Sequence, residues 1–377
     1  VKIQRVRAIS RKEFLHLIRD PRSLGLGIAI PMLMLILFGF ALTLDVTNVP
    51  VVVWDQSGTE TSRELISKFG GSRYFSIRFH VDRYDDVERT IDQAKALAGL
   101  VIPYDFARQI ETGQVAYVQL LLDGSDSNTA NIALNYANAV VGSYSKQISV
   151  QRLHVKGINP PIAPADLRAR VWFNADLESR NYIIPGLIAV IMMVIAGMLT
   201  SLTVAKEWDT GTMEQLISTP VKVPELIIGK LVPYFCIAMF DVILAVLMGE
   251  FVFKIPMRGN PVLLFAISAI FLCGALSMGI LISIATRTQL LASQLAMIAT
   301  FLPTFLLSGF TFDTANMPAA IQAVSHIIPA KYFITFLKGL YLKGVGIKVL
   351  FFEVLFLIIY ALVLMAIANV KFKKKIV

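Results

Sequence analysis

Side chains able to do chemistry are few in this sequence, and their spacing excludes more than it supports. The four histidines, His16, His80, His154 and His326, are scattered and make no metal-ligand spacing. Cys236 and Cys273 both fall in apolar runs, so neither a disulfide framework nor a redox compartment can be read from them. No G-x-x-x-x-G-K-[ST] phosphate loop occurs, and Gly339–Lys343 lacks the pattern. No G-x-S-x-G nucleophile turn occurs either. No catalytic, cofactor-binding or metal-binding residue is therefore assigned.

Asp241 is the sharpest ionisable residue, because it stands near the middle of an apolar run. A carboxylate in such a place is costly and is a candidate functional group by default. Two readings stand: it shapes a path across the membrane, or it is a structural group, hydrogen-bonded to Gln289 or Gln294 or held as a protonated acid. Glu250 and Glu353 lie nearer the ends of their runs. So few intramembrane charges supply a proton or ion relay poorly, and the energy for any work should arrive from outside the membrane.

The segment best suited to receive it is Ala205–Pro220, with Glu207, Gly211, Thr212, Met213, Glu214, Leu216 and Ile217. Asp209 or Thr210 can cap a short helix that Pro220 stops, and Pro224 starts the next run. Met213, Leu216 and Ile217 are expected to be exposed beside acids. That makes either a docking surface for another protein or a simple re-entry loop.

The elements that must position these residues are membrane spans. Leu24–Leu44, Tyr182–Val204, Leu226–Phe251, Val262–Ala285, Leu290–Gly309 and Ile347–Val370 are each apolar, and a helix crosses a bilayer in roughly 20 residues. The 377 residues are 56% hydrophobic and only 16% charged, with a mean hydropathy of +0.67. That places the chain among polytopic α-helical membrane proteins of six transmembrane helices. The net charge of +9 is not a nucleic-acid footprint. It gathers at the two ends, in Lys2, Arg5, Arg7, Arg11, Lys12, Arg19 and Arg22, and in Lys371, Lys373, Lys374 and Lys375. Basic clusters beside spans mark the cytoplasmic face and its anionic lipids. Six spans then place both termini in the cytoplasm and residues 45–181 outside, with Leu24–Leu44 as a retained signal-anchor.

Residues 1–23 hold an amphipathic helix, with Val6, Ile9, Phe14 and Leu17 on one face. It lies on the inner leaflet, or it is a basic tail that sets topology. Residues 45–181 alternate strands with helices in the order β-α-β-α-β-α-β, an inserted α/β domain. Phe75, Ile77, Phe79 and Val81 alternate with polar residues as a half-buried strand. Ala130, Leu134, Ala137, Val141, Tyr144 and Ile148 form a narrow stripe on a long helix, which docks on the sheet or on a second copy. Asn159-Pro160-Pro161 and Pro164 mark an extended return to the membrane. Residues 182–377 carry the remaining spans, a loop at 205–225, an outer hairpin at 310–346 and a basic tail at 371–377. In the hairpin, Ile321, Val324 and Ile328 share one stripe of a helix bounded by Pro318 and Pro329.

Several segments, in order, resemble the ABC-2 type exporter permeases. They are Arg11-Lys12-Glu13-Phe14 through Arg19-Asp20-Pro21; Asp123-Gly124-Ser125 with Asn128-Thr129-Ala130; Lys206-Glu207-Trp208 with Gly211-Thr212-Met213-Glu214; Leu307-Ser308-Gly309-Phe310; Met317-Pro318; and Ile328-Pro329-Ala330-Lys331-Tyr332-Phe333. The likeness is nearest to the bacterial group with a large external domain after the first span, which exports drugs or small molecules. It covers essentially the whole chain.

The resemblance implies a half-transporter in the bacterial inner membrane. It pairs with an identical or paralogous second permease and with separate ATPase subunits that bind ATP and Mg. Glu207 and Gly211–Ile217 would be the segment touching the ATPase. The pathway would be lined by spans one, two and five, with Asp241 along it and Leu307, Ser308, Gly309 and Phe310 at its exit gate, unless the hairpin is only a surface anchor. A periplasmic membrane-fusion adaptor and an outer-membrane channel would be further partners in a host with two membranes. The cargo would be a small amphipathic molecule or drug. The competing reading is a membrane receptor or force-transmitting scaffold whose external domain binds a partner without moving cargo. A secondary transporter is a third, weakened by the lack of an internal repeat.

Overall fold

The computed structural model describes residues 2–20, 24–42, 48–125, 127–155, 173–174, 178–312 and 314–372. Arg22, the Asn159–Pro164 return and Lys373–Lys375 of the basic tail lie outside them. The chain divides into two compact units, Val1–Leu44 with Val171–Val377, and Asp45–Arg170.

The first unit begins with helix α1, Ile3–Arg19. A π-helical turn, Gly25–Ala29, leads into α2, Ile30–Ala41. Helix α2 runs on from that turn without a break, the Ile30 N–H donating to the Gly25 carbonyl, and Pro31 falls in its first turn.

The second unit is an α/β fold built on β1 Val49–Asp55, α3 Glu60–Gly70, β2 Phe75–His80, α4 Tyr84–Asp92, β3 Ala98–Ile102, α5 Phe106–Thr112, β4 Gln119–Leu122 and α6 Ser127–Val155. The sheet order is β2-β1-β3-β4, with β1 parallel to both neighbours and β4 antiparallel to β3. Val51, Val53, Ala98 and Leu100 pack with Leu65 and Phe69 of α3 and with Ala133, Ala137 and Tyr144 of α6.

Two patterns in this unit depart from the sequence expectation. Between Val51 and Val52 the β2 register skips from Ile77 to Phe79. This bulge at Arg78 breaks the alternation, so Phe75 is buried while Phe79 is 37% exposed. On α6 the buried stripe runs through Ala133, Ala137 and Tyr144, while Leu134 is exposed. The helix therefore docks within its own unit on the expected Ala137, Val141, Tyr144 and Ile148, and departs only near its start, where Ala133 takes the place of Leu134. Tyr144 Oη donates to the Thr61 carbonyl at 2.9 Å, and burial pushes its phenol up to about 12.

The first unit resumes with α7 Ser179–Asp209, α8 Met213–Ser218, α9 Val223–Phe251, α10 Pro261–Thr286, α11 Gln289–Leu307, α12 Ala319–Ser325, α13 Pro329–Lys338 and α14 Phe351–Lys371. Helix α7 is the axis, buried along almost its whole length and packed against α2, α9, α10, α11 and α13. Glycines permit this closeness: a Cβ on Gly197 would lie 2.6 Å from Thr300 Cγ2, and one on Gly279 would collide with Thr200 and the Gly197 carbonyl.

Among the described residues five helices, α7, α9, α10, α11 and α14, are long and apolar enough to cross a membrane. A pair bent by 82°, Ala319–Ser325 with Pro329–Lys343, brings the number up to six. The first apolar run is described as a shorter helix, Gly27–Ala41. The hairpin also departs from expectation. Helix α12 ends at Ser325, so Ile328 is not on its stripe; Ile328 instead precedes α13 and is buried, while Ile321 and Val324 are exposed.

Candidate functional site

Three places in the first unit carry the sequence-predicted site residues. They are the α8 end, the middle of α9, and the junction between α11 and the hairpin.

At the α8 end, Gly211 adopts φ +72, a left-handed value that glycine takes without strain. It separates α7 from α8, whose N-cap is Thr212 without a side-chain bond; neither Asp209 nor Thr210 caps it. Asp209 instead accepts from Gln289 Nε2 at 2.9 Å, and Thr210 Oγ1 donates to the Lys206 carbonyl at 2.7 Å. Met213 is only 1% exposed and packs into the core, contrary to its expected exposure. The short helix must bury one apolar residue to stay attached, and Met213 is that residue. Glu214 and Gln215 are exposed and Leu216 is half-buried, while the side chain of Ile217 lies outside the described set.

Glu207 is also turned inward, 7% exposed. Its Oε1 lies 2.9 Å from Lys230 Nζ and 3.1 Å from Lys12 Nζ. Lys230 Nζ also pairs with Glu13 Oε1 at 2.9 Å and points at the Thr203 carbonyl at 3.4 Å. Lys230 is 1% exposed. Glu207 Oε2 is buried with no hydrogen-bond partner among the described residues. Two carboxylates and two ammonium groups thus meet at the junction of α1, α7 and α9.

Helix α1 is fastened along the start of α9. The Lys2 backbone N–H donates to Glu225 Oε1 at 2.7 Å, and Arg5 pairs with Glu225 Oε2 at 3.4 Å. Ser10 Oγ donates to the Gly229 carbonyl at 2.9 Å. A Cβ on Gly229 would lie 2.8 Å from Ile9. The face of α1 that packs is therefore Ile9, Glu13 and Leu17, and Phe14 is exposed rather than sharing it. The helix rests on protein because the polar ties outweigh the simple apolar stripe.

Asp241 lies on α9, fully buried, and neither carboxylate oxygen has a hydrogen-bond partner among the described residues. The expected bonds are not made: Gln289 is committed to Asp209, and Gln294 is exposed on α11. One turn earlier on α9, Ile237 meets Gly27 of the π-helical turn.

At the hairpin junction, α11 ends at Leu307, which is half-buried. Ser308 is buried and donates to the Thr304 carbonyl. Gly309 turns the chain at φ +80, and Phe310 drops into a notch where a Cβ on Gly186 would lie 2.6 Å from its Cδ2. The Gly309 carbonyl accepts from Lys338 Nζ at 3.1 Å and from Tyr182 Oη at 3.3 Å. Lys338 Nζ also sits 3.3 Å from the Tyr182 ring centroid. Beside this junction is a cavity of about 360 Å³ lined by Leu42, Glu178, Tyr182, Ile183, Phe305 and Phe310. It touches the ends of α2, α7 and α11.

The structure thus gathers Leu307 to Phe310 with Tyr182 and Lys338, and gathers Glu207 with Glu13, Lys12 and Lys230. It leaves Asp241 apart from both. Lys230 and Lys338 were not among the sequence-predicted site residues. Lys230 had a usable signal, a cation within Leu226–Phe251 with acids at Glu13 and Glu207 to answer it. Lys338 had none, since a lysine near the end of an apolar segment is ordinary.

Comparison with known proteins gives a consistent picture. The family model described as "ABC-2 family transporter protein" matches residues 21–370. "Probable multidrug ABC transporter permease YbhS" of Escherichia coli is 39% identical over 342 residues, 90% of this chain and 88% of that protein. "Probable multidrug ABC transporter permease YbhR" of the same organism is 32% identical over 340 residues, 89% of each chain. "Inner membrane transport permease YhhJ" is similar at 21% identity over 294 residues, 77% of this chain.

Proposed function

The chain belongs to the ABC-2 family of transporter proteins, and on that premise we propose that it is the membrane permease subunit of an ATP-driven exporter of small amphipathic molecules or drugs. The likeness to two proteins named as multidrug ABC transporter permeases, over about nine-tenths of each chain, carries the reading. The receptor or scaffold alternative finds no supporting observation.

In this reading the protein is a multi-pass protein of the bacterial inner membrane. Both termini are cytoplasmic, and residues 45–181, with the α/β unit, lie outside. The positive-inside bias of α1 and the C-terminal lysines supports that orientation. The partners are an ABC ATPase, which binds ATP and Mg, and a second permease, identical or paralogous. A membrane-fusion adaptor and an outer-membrane channel extend the path where the host has two membranes. The exposed face of α8, with Glu214, Gln215 and Leu216, receives the ATPase. Gly211 and Thr212 set its angle, Met213 anchors it, and Ile217 is the next residue of the contact segment. Asp241 is the polar point of the cargo path. Leu307, Ser308, Gly309 and Phe310 close the exit, where the cavity beside Tyr182 offers room for a drug-sized molecule.

The test is ATP-dependent cargo accumulation in inverted vesicles holding this chain with its ATPase. Accumulation that needs both proteins and ATP supports the reading; binding without accumulation sinks it. Cysteines at Ser125 and Arg11 test orientation: an impermeant reagent should reach the first from outside and not the second.

A further inference from the structure

We propose that Lys230 is a positioning residue that makes α1, the end of α7 and the start of α9 one mechanical body, so that a displacement of α8 is delivered to the spans through Glu207. The inference rests on the reading of α8 as the ATPase-receiving surface. It adds the route by which that surface acts.

The geometry points to this route in three ways. First, the cluster joins residues remote in sequence, Glu13, Glu207 and Lys230, through a single ammonium 2.9 Å from each carboxylate. Second, α1 is tied to α9 along its length, by Glu225 with Lys2 and Arg5, by Gly229 with Ser10, and by Lys230 with Glu13. Its ties to the end of α7 are Glu207 with Lys12 and the half-open pair of Lys206 with Asp20 at 3.8 Å. Glu207 is therefore the buried link between the body formed by α1 with α9 and the helix that leads, through Gly211, into α8. Third, the arrangement is poorly made as a stability device. Removing charges from water costs much of what their attraction returns, and an apolar replacement of the whole set is often no less stable. Glu207 Oε2 adds a buried acceptor with no partner among the described residues, a cost that a purely structural tie would shed. What the ions do give is a fixed three-way geometry that apolar packing specifies less sharply.

The test uses the permease reconstituted with its ATPase in proteoliposomes, reading cargo exported per ATP hydrolysed. In Glu13→Met/Glu207→Met/Lys230→Met, the expected result is an assembled complex whose export per ATP falls by about tenfold, inside the usual range of coupling between distant sites. Lys230→Arg should restore most of the ratio. Should the methionine variant not assemble, Glu13→Gln/Glu207→Gln/Lys230→Met keeps the side-chain shapes while removing the central donor, and the same loss is expected. An assembled variant exporting at the wild-type ratio overturns the inference. Leu216→Glu on α8 serves as the control. If it too exports normally, the assignment of α8 has failed; if it uncouples while the cluster variants do not, only the role of Lys230 has.

Discussion

Lys230 and Asp241 stand on the same helix, both fully buried, and the fold treats them in opposite ways. Lys230 is answered by two carboxylates and a carbonyl. Asp241, three turns further along α9, is answered by nothing among the described residues. A charge in apolar surroundings is kept only if it is paired or if something else repays its cost. The comparison teaches that burial alone does not say how a charge is held. The count of partners does.

The strongest way to break the comparison is to remove the cation. Lys230→Met alone leaves Glu13 without its ammonium and Glu207 held by the half-open Lys12 alone, and loss of one partner from a buried set costs about 3–5 kcal/mol. Membrane abundance and thermal midpoint in detergent should both fall well below those of the triple methionine variant. If the single variant proves as stable as the triple one, Lys230 is not neutralising the two acids.

A smaller effect is expected at the hairpin. Lys338→Met removes the charged hydrogen bond to the Gly309 carbonyl and the contact with the Tyr182 ring, together about 1–3 kcal/mol. Proteoliposomes should then leak cargo in the absence of ATP, while Lys338→Arg stays tight. Unchanged leak in the methionine variant would show that this junction does not close a path.

Asp241 should answer the other way in stability. Asp241→Leu removes a buried acid with no bond to lose, so its thermal midpoint should stay within about 1 kcal/mol of the parent or rise. Asp241→Asn should fold normally and shift the range of exported compounds. A marked drop in stability for the leucine variant would mean that Asp241 has a structural partner after all.

The finest change lies in the second unit. Tyr144→Phe loses one bond to the Thr61 carbonyl, about 1 kcal/mol. The Tyr144 phenol is raised from 10.0 to about 12. Between those values the unfolded chain ionises while the folded one does not, so stability falls as pH rises through that window. The phenylalanine variant should lack this part of the alkaline slope.

Much of this architecture was legible because long apolar runs and the β-α alternation follow directly from hydropathy and period. The errors share one cause. Phe14, Met213 and Leu134 were placed by local spacing, but each was decided by a partner remote in sequence. Phe14 is out because Glu13 goes in to meet Lys230. Met213 is in because a six-residue helix needs an anchor. The bulge at Arg78, which turns Phe79 outward, depends on pairing with β1 and leaves no trace in the alternation of β2 itself. The segment Leu307 to Phe310 was found as a motif, whereas the Lys338 that ties the Gly309 carbonyl could be seen only once the chain was folded.

Helix α7 touches its neighbours on nearly every side, while α11 and α14 leave most of their surface outward. Bilayer thickness acts on a helix through the surface it presents to lipid. A thicker or thinner membrane should therefore tilt α14, which lies outside the proposed pathway, first and reach α7 only through its neighbours. The outer helix thus buffers the axis against changes in lipid composition, and the stretch between Gly186 at one end and Glu207 at the other should keep its length as the cell remodels its membrane.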